Sequence, residues 1–279
     1  MAEVTSSLVP PPLPSPLPSP LPPPVLVTDF DGTLYRGDDP IRHYARRAAR
    51  ELAPDRRRIV LDGVDQYLAM GAAASAVPEA IDGWEAVMLL ARRLGVDPDA
   101  LQAAFTDTRV HMLSEACSLE VPSGYAELLQ QLRAGGVRVV LATNSPAEGL
   151  DPLLRRLDLL PLVDEVVAGT GKPAGLRRLL QRELGGSGTV GAAGLAPERV
   201  LVIGDHWRND IEPGTDIGAF GAYIDRFGRA DGPADATATT VEGLLEPIRK
   251  WAATAVPTTA PAAPTTPAPL LKALPSETS

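Results

Sequence analysis

The chain is expected to fold as an α/β protein, a Rossmann-like parallel sheet with a helical insertion behind its first strand. Three features carry that expectation. The apolar, β-branched runs that start at Val25, Val137 and Arg199 lack the polar alternation of a half-exposed strand, so they fit strands buried on both faces. Each run ends in polar side chains, at the place where open α/β sheets bind their ligands. Between the first two runs, residues 37–120 read as helices.

In chain order, residues 1–24 form a tail. Positions 10–24 hold ten prolines with Leu and Ser between them, a polyproline II composition that cannot build a packed core. It would suit a proline-reading partner, but no basic residue flanks it to fix an orientation, and a disordered extension is the expectation. The first strand, near 25–30, runs into Val25-Leu-Val-Thr-Asp-Phe-Asp-Gly-Thr-Leu-Tyr35 and delivers Asp29 and Asp31 to a glycine turn. Within 37–120, Ile41 to Leu52 reads as an Arg-rich amphipathic helix and Glu79 to Leu94 as another. Asp97-Pro98-Asp99 opens a third, with an aspartate cap and a proline in the first turn. The main unit, residues 25–36, resumes over 121–251, with strands near 137–143, 164–168, 199–204 and 219–224. Gly171-Lys172-Pro173 is a turn, the glycine-rich stretch 185–194 a surface loop, and the Ala, Pro and Thr-rich residues 252–279 a second disordered tail.

Composition narrows the function classes. Apolar side chains make up 44% of the 279 residues, enough for a core and a smaller second lobe. One cysteine, Cys117, permits no internal disulfide, and the N-terminus has no basic and apolar leader pattern, so a cytoplasmic setting is expected. No uninterrupted apolar run reaches the length of a membrane span. The net charge of -9 falls on the folded part and disfavours a nucleic-acid backbone as partner.

The polar strand ends suggest chemistry. Side chains at i and i+2 of an extended segment point the same way, so Asp29 and Asp31 converge unless the turn diverts one of them. Two adjacent carboxylates repel unless a proton or a cation sits between them. Few, hard oxygen ligands suit Mg2+, which completes its shell with waters and a phosphate. Val137-Arg-Val-Val-Leu-Ala-Thr-Asn-Ser145 adds hydroxyl and amide groups able to bind an oxyanion, and Arg199-Val-Leu-Val-Ile-Gly-Asp-His-Trp-Arg-Asn-Asp210 adds Asp205 and Asp210. Together the four aspartates bring up to four negative charges, which a phosphate dianion could not approach unaided. Mg2+ and Lys172 offset three, and a protonated Asp31 offsets the fourth. Of the 26 basic residues only Lys172, Lys250 and Lys272 are lysines, and a compact ammonium at 172 fits a small site better than a guanidinium fork.

In these residues the sequence resembles the haloacid dehalogenase-like (HAD) hydrolase superfamily, over about 25–250. Its four motifs appear in order as Asp29-Phe-Asp31-Gly-Thr-Leu, Thr143-Asn144, Lys172-Pro173 and Gly204-Asp205 with Asp210 after four intervening residues. Thr-Asn or Lys-Pro alone would carry no weight; the ordered set is specific. The resemblance implies that Asp29 is the nucleophile, forming an aspartyl-phosphate, and Asp31 the general acid/base. It further implies that Asp205, Asp29 and the backbone carbonyl of Asp31 bind Mg2+. Thr143 and the backbone amide of Asn144 would hold the phosphoryl oxygens, Lys172 would neutralise them and the nucleophile, and Asp210 would orient Lys172 or a metal-bound water. The implied sheet order is 5-4-1-2-3, and the insertion resembles the helical C1 cap that closes over the leaving-group side. Tyr44, Tyr67, Trp84 and the arginines at 42, 46 and 47 are its candidate substrate contacts. His206 is set aside as a ligand, because hard Mg2+ prefers oxygen and adjacent loop residues usually point apart; His43 and His111 read as structural.

The expected activity is Mg2+-dependent hydrolysis of a small phosphomonoester. Phosphonate cleavage in this superfamily needs a cap lysine, and 37–120 contain none. Dehalogenation does without the second aspartate, and Asp31 is present. A phosphomutase of the β-phosphoglucomutase kind shares all four motifs, so it stays open, as does a non-catalytic scaffold on the same fold.

Overall fold

The computed structural model describes residues 21–185 and 194–256. The Pro-rich stretch up to residue 20, most of the glycine-rich loop and the chain beyond 256 lie outside the described residues. The sheet has β1 (Val25–Thr28), β2 (Arg138–Ala142), β3 (Glu165–Val167), β4 (Val200–Gly204), β5 (Phe220–Ile224) and β6 (Ala236–Ala238). All neighbours are parallel, in the order β3-β2-β1-β4-β5-β6. Five strands therefore stand as expected, but the sheet continues to a sixth. β6 escaped the sequence reading because Ala-Thr-Ala has no apolar run; its edge position is set by pairing with β5.

Alternate residues of the central strands feed opposite faces of the sheet. Leu26, Val139, Leu141, Leu201 and Ile203 pack with α5 (Tyr125–Ala134), α6 (Leu150–Arg156) and the C-terminal α9 (Leu245–Ala255). Val25, Val27, Val140, Ala142, Val200 and Val202 pack with α7 (Ala174–Gly185) and with Ile211, just before the short α8 (Glu212–Thr215). With both faces covered, continuous apolar runs are what such strands need. α9 carries Ala252 and Ala255 into the core, so the folded chain extends beyond the expected boundary at 251.

The insertion holds four helices: α1 (Asp39–Ala48), α2 (Pro54–Met70), α3 (Gly83–Arg93) and α4 (Pro98–His111). They share an apolar cluster of their own, with Tyr44, Val60, Val64, Tyr67, Val87, Leu90 and Leu101 among its members. α1 stops before Leu52 because Pro54 opens α2, and proline in a first helical turn starts a helix rather than continuing one. α2, the longest helix of the four, was not singled out from sequence. Its apolar positions serve neighbours on more than one side, which blurs the periodicity. Where the insertion leaves and rejoins the core, Arg36 and Glu120 form an antiparallel bridge.

Strand register brings the polar ends together. Thr28 lies level with Leu141 on one side and Ile203 on the other, so Asp29, Thr143 and Asp205 emerge from neighbouring strands within one residue of the same level. The Asp29 N–H still donates to the Ile203 carbonyl at 3.0 Å, which anchors the first carboxylate to β4.

Candidate active site

Lys172 ties the strand ends together. Its Nζ donates to Asp29 Oδ1 at 2.6 Å and to Asp210 Oδ1 at 2.8 Å. Its own N–H donates to Asn144 Oδ1 at 2.7 Å, so Asn144 positions the lysine turn. Asp210 Oδ2 accepts the His206 N–H at 3.0 Å, which closes the loop around Asp205. Two glycines make this density possible. Gly32 has φ +80°, and a Cβ there would lie 2.2 Å from Asp205 Oδ2; a Cβ on Gly204 would lie 2.4 Å from the Asp210 Cβ.

Asp29, Asp205 and Asp210 each offer a carboxylate oxygen, all within 4.8 Å of one another. Such a cluster is costly without a cation. Burial lifts the Asp29 carboxyl from 3.8 to about 7, with Lys172 pulling it back and Asp210 and Asp31 pushing it further up. Burial also drives Asp205 well above the carboxylate range, reinforced by the charges of Asp29 and Asp210. For Lys172 burial works against the charge, but Asp210 and Asp29 outweigh it and hold the ammonium above its ordinary value. Hard oxygen donors at this density suit a divalent cation such as Mg2+. The residues present therefore fit the metal.

The turn diverts Asp31 from this cluster. Its Oδ1 accepts the Tyr35 hydroxyl, and its Oδ2 accepts Ser145 Oγ at 2.8 Å. Behind it, Arg109 from the last turn of α4 reaches to 4.0 Å of Oδ1 with only 7% of its side chain exposed. Thr143 is buried, and its Oγ1 accepts the Ser145 N–H at 3.0 Å. A cleft of about 610 Å3 opens above these groups and is lined by both core and insertion residues.

A profile of the haloacid dehalogenase-like hydrolases matches residues 24–218. The chain belongs to this HAD-like hydrolase family. No curated protein matches it. Among solved structures, the HAD-hydrolase YfnB from Bacillus subtilis, bound to magnesium, is 16% identical with a TM-score of 0.54, covering 82% of this chain and 99% of its own. A predicted phosphoglycolate phosphatase from Haemophilus somnus 129PT is 16% identical with a TM-score of 0.56, over 80% and 97%. The L-2-haloacid dehalogenase RSc1362 is 17% identical with a TM-score of 0.52, over 82% and 99%. At these identities the likeness is one of fold, and that fold serves more than one activity.

All seven HAD motif residues, Asp29, Asp31, Thr143, Asn144, Lys172, Asp205 and Asp210, line one cleft. Of the insertion candidates, Trp84 and Tyr67 line it too. Tyr44 instead packs behind Trp84, with ring centroids 5.8 Å apart. Arg42, Arg46 and Arg47 face Asp65, Asp39 and Asp107 on the insertion itself and are not part of the cleft lining. Their helix turns its apolar stripe to the insertion core and its arginines outward. His206 accepts the Asn209 N–H through Nδ1 and caps its loop, while His43 and His111 stack on each other at 4.1 Å. The sequence reading missed Tyr35, Ser145, Arg109 and Asp82. Tyr35 and Ser145 stand beside recognised motifs and could have been weighed; nothing local marks Arg109. Asp82 had a signal, since Asp82-Gly-Trp-Glu85 has the spacing of a capping box.

Proposed function

We propose that this HAD-family hydrolase is a Mg2+-dependent phosphatase acting on a small phosphomonoester through an aspartyl-phosphate on Asp29. The observation that carries the reading is the split between carboxylates. Asp29, Asp205 and Asp210 crowd together around Lys172, whereas Asp31 is held apart on Tyr35 and Ser145, as a proton carrier distinct from the metal ligands would be.

Asp29 attacks phosphorus, and the bond to the leaving alcohol breaks. Asp31 gives its proton to the departing oxygen. Water then attacks the aspartyl-phosphate and passes a proton to Asp31, and inorganic phosphate leaves with Asp29 restored. Lys172 and the Thr143 hydroxyl face the phosphoryl oxygens throughout, and the Asn144 backbone amide assists. Mg2+, held by Asp29, Asp205 and the Asp31 carbonyl with Asp210 behind, would supply the charge that lets a dianion enter. A dehalogenase would have no use for a second aspartate so placed. A single, buried Cys117 is consistent with a reducing, cytoplasmic setting.

A panel of phosphomonoesters assayed with Mg2+ and after chelation tests the proposal. Free phosphate should be released with Mg2+, and EDTA should abolish its release. No turnover of any ester, or full activity after exhaustive chelation, would overturn it. Phosphate moving between positions of a sugar, stimulated by a bisphosphate and with little release, would mark a phosphomutase instead.

A further inference from the structure

A second group of metal-ligating side chains lies where the insertion leaves and rejoins the core. Asp39 opens α1, His111 closes α4, and Cys117 stands on the segment that returns to the core. A carboxylate oxygen, an imidazole nitrogen and the Cys117 Sγ all lie within 4.8 Å of one another. None of the three lines the cleft, so this group is separate from Asp29, Asp205 and Asp210.

The three side chains are held in place by their surroundings. His111 Nε2 and Asp39 Oδ2 are 3.2 Å apart. Two ligands of a tetrahedral ion with bonds of about 2.0–2.1 Å stand about 3.3 Å apart, so this hydrogen-bonded pair has the spacing of one edge of such a site. His43 stacks on His111 at 4.1 Å with 9° between the rings, and its Nδ1 is 3.0 Å from Thr108 Oγ1, which fixes the plane of the ligating imidazole. Asp39 Oδ2 also accepts the Ser118 N–H at 3.2 Å. The sulfur is buried, whereas the carboxylate and imidazole are partly exposed and leave an entry path for a cation.

The donors select the ion. Thiolate, imidazole and carboxylate together suit Zn2+, whereas Mg2+ takes oxygen alone. Burial and the Asp39 charge push the Cys117 thiol up to about 11; a bound ion displaces that proton to solvent. Arg156, from α6, donates to the Cys117 carbonyl at 2.8 Å, and its charge favours the thiolate. One carboxylate and one thiolate then balance the two charges of the cation. We propose that Asp39, His111 and Cys117 bind Zn2+, with water in the fourth position, and that the ion clamps α1, α4 and the returning segment to one another. This site is independent of the activity assigned to the cleft.

The experiment titrates the full, reduced chain with Co2+ and then Zn2+, with Mg2+ in excess. Cys117 is the only cysteine of the 279 residues, so a thiolate-to-cobalt charge-transfer band in the near ultraviolet can arise from no other side chain. One Co2+ per chain should produce the band, and Zn2+ should remove it by displacing the Co2+. Cys117→Ser should abolish it. Asp39→Asn and His111→Asn should each weaken Co2+ binding at least about tenfold, the least that a change behind a metal ligand costs, and Asp205→Asn should leave it intact. No band in the wild type, an unchanged affinity in Asp39→Asn and His111→Asn, or loss of the band in Asp205→Asn overturns the proposal. X-ray absorption on the Zn2+-loaded wild type needs no variant. One sulfur among nitrogen and oxygen neighbours is the expected shell, and nitrogen and oxygen alone would overturn the site.

Discussion

At the level of single residues, the site separates carboxylates that are identical in chemistry by what surrounds them. Asp29 sits at a strand end with Lys172 against one oxygen and Asp210 beyond it, whereas Asp31 leans on two hydroxyls. The proposed mechanism uses that difference, with Asp29 as nucleophile and Asp31 as proton carrier. On the proposed mechanism Asp29→Asn preserves shape but removes the nucleophile, so kcat should fall at least about a thousandfold while circular dichroism stays native. Residual activity within tenfold of wild type would move the nucleophile elsewhere.

At the level of elements, α4 links the insertion to the core. Its last turn carries Arg109 to 4.0 Å from Asp31, and one guanidinium nitrogen, NH2, is buried without a hydrogen-bond partner. A buried, incompletely satisfied arginine adds little net stability, but removing it alone would leave the Asp31 carboxylate without its nearest cation. Its value then lies in holding Asp31 from the insertion side. Arg109→Met should therefore lower unfolding stability, by about 3 kcal/mol at most for a contact this long, while lowering kcat on esters with poor leaving groups more than on p-nitrophenyl phosphate. Lower stability with unchanged kcat would make Arg109 purely structural. The same logic of elements explains Gly32, where the turn out of β1 needs a positive φ and leaves no room for a Cβ beside Asp205.

At the level of the whole molecule, the carboxylate cluster sets a pH-dependent strain on folding. Asp29 is raised from 3.8 to about 7 by burial, and Asp205 is raised by the same cause. Their folded forms bind protons more tightly than the unfolded chain, so that contribution to stability is full below about pH 4 and is lost as pH rises through about 7. His43 and His206, lowered chiefly by burial, act in the opposite direction below their ordinary 6.5, which makes absolute melting curves ambiguous. The informative quantity is the rise in Tm caused by Mg2+. It should be larger at pH 8 than at pH 5.5, where protons already occupy the cluster. Asp205→Asn should melt higher than wild type in EDTA at pH 8 and should lose most of the Mg2+ response. Equal Mg2+ responses at both pH values would remove the cation from this cluster.

The sequence alone determined the strands that matter and the residues at their ends. Buried parallel strands are read from short apolar runs, and Asp29, Asp31, Thr143, Asn144, Lys172, Asp205 and Asp210 follow from ordered local motifs whose chemistry is borne by residue type. It also marked 37–120 as helical, because capping and amphipathic spacing are local signals, although it passed over α2. Only the tertiary structure decided which candidates face the cleft. Arg42, Arg46 and Arg47 look like anion binders in sequence, yet rotation of α1 about its axis turns them to carboxylates of the insertion. Tyr44 and Trp84 are both aromatic, and packing puts one behind the other. β6 exists because an edge strand is defined by its neighbour's hydrogen bonds rather than by its own three residues. Arg109 and Asp82 reach the site only because the insertion helices, packed on one another, carry them to strand ends far away in the chain, and that juxtaposition of distant segments has no trace in local composition.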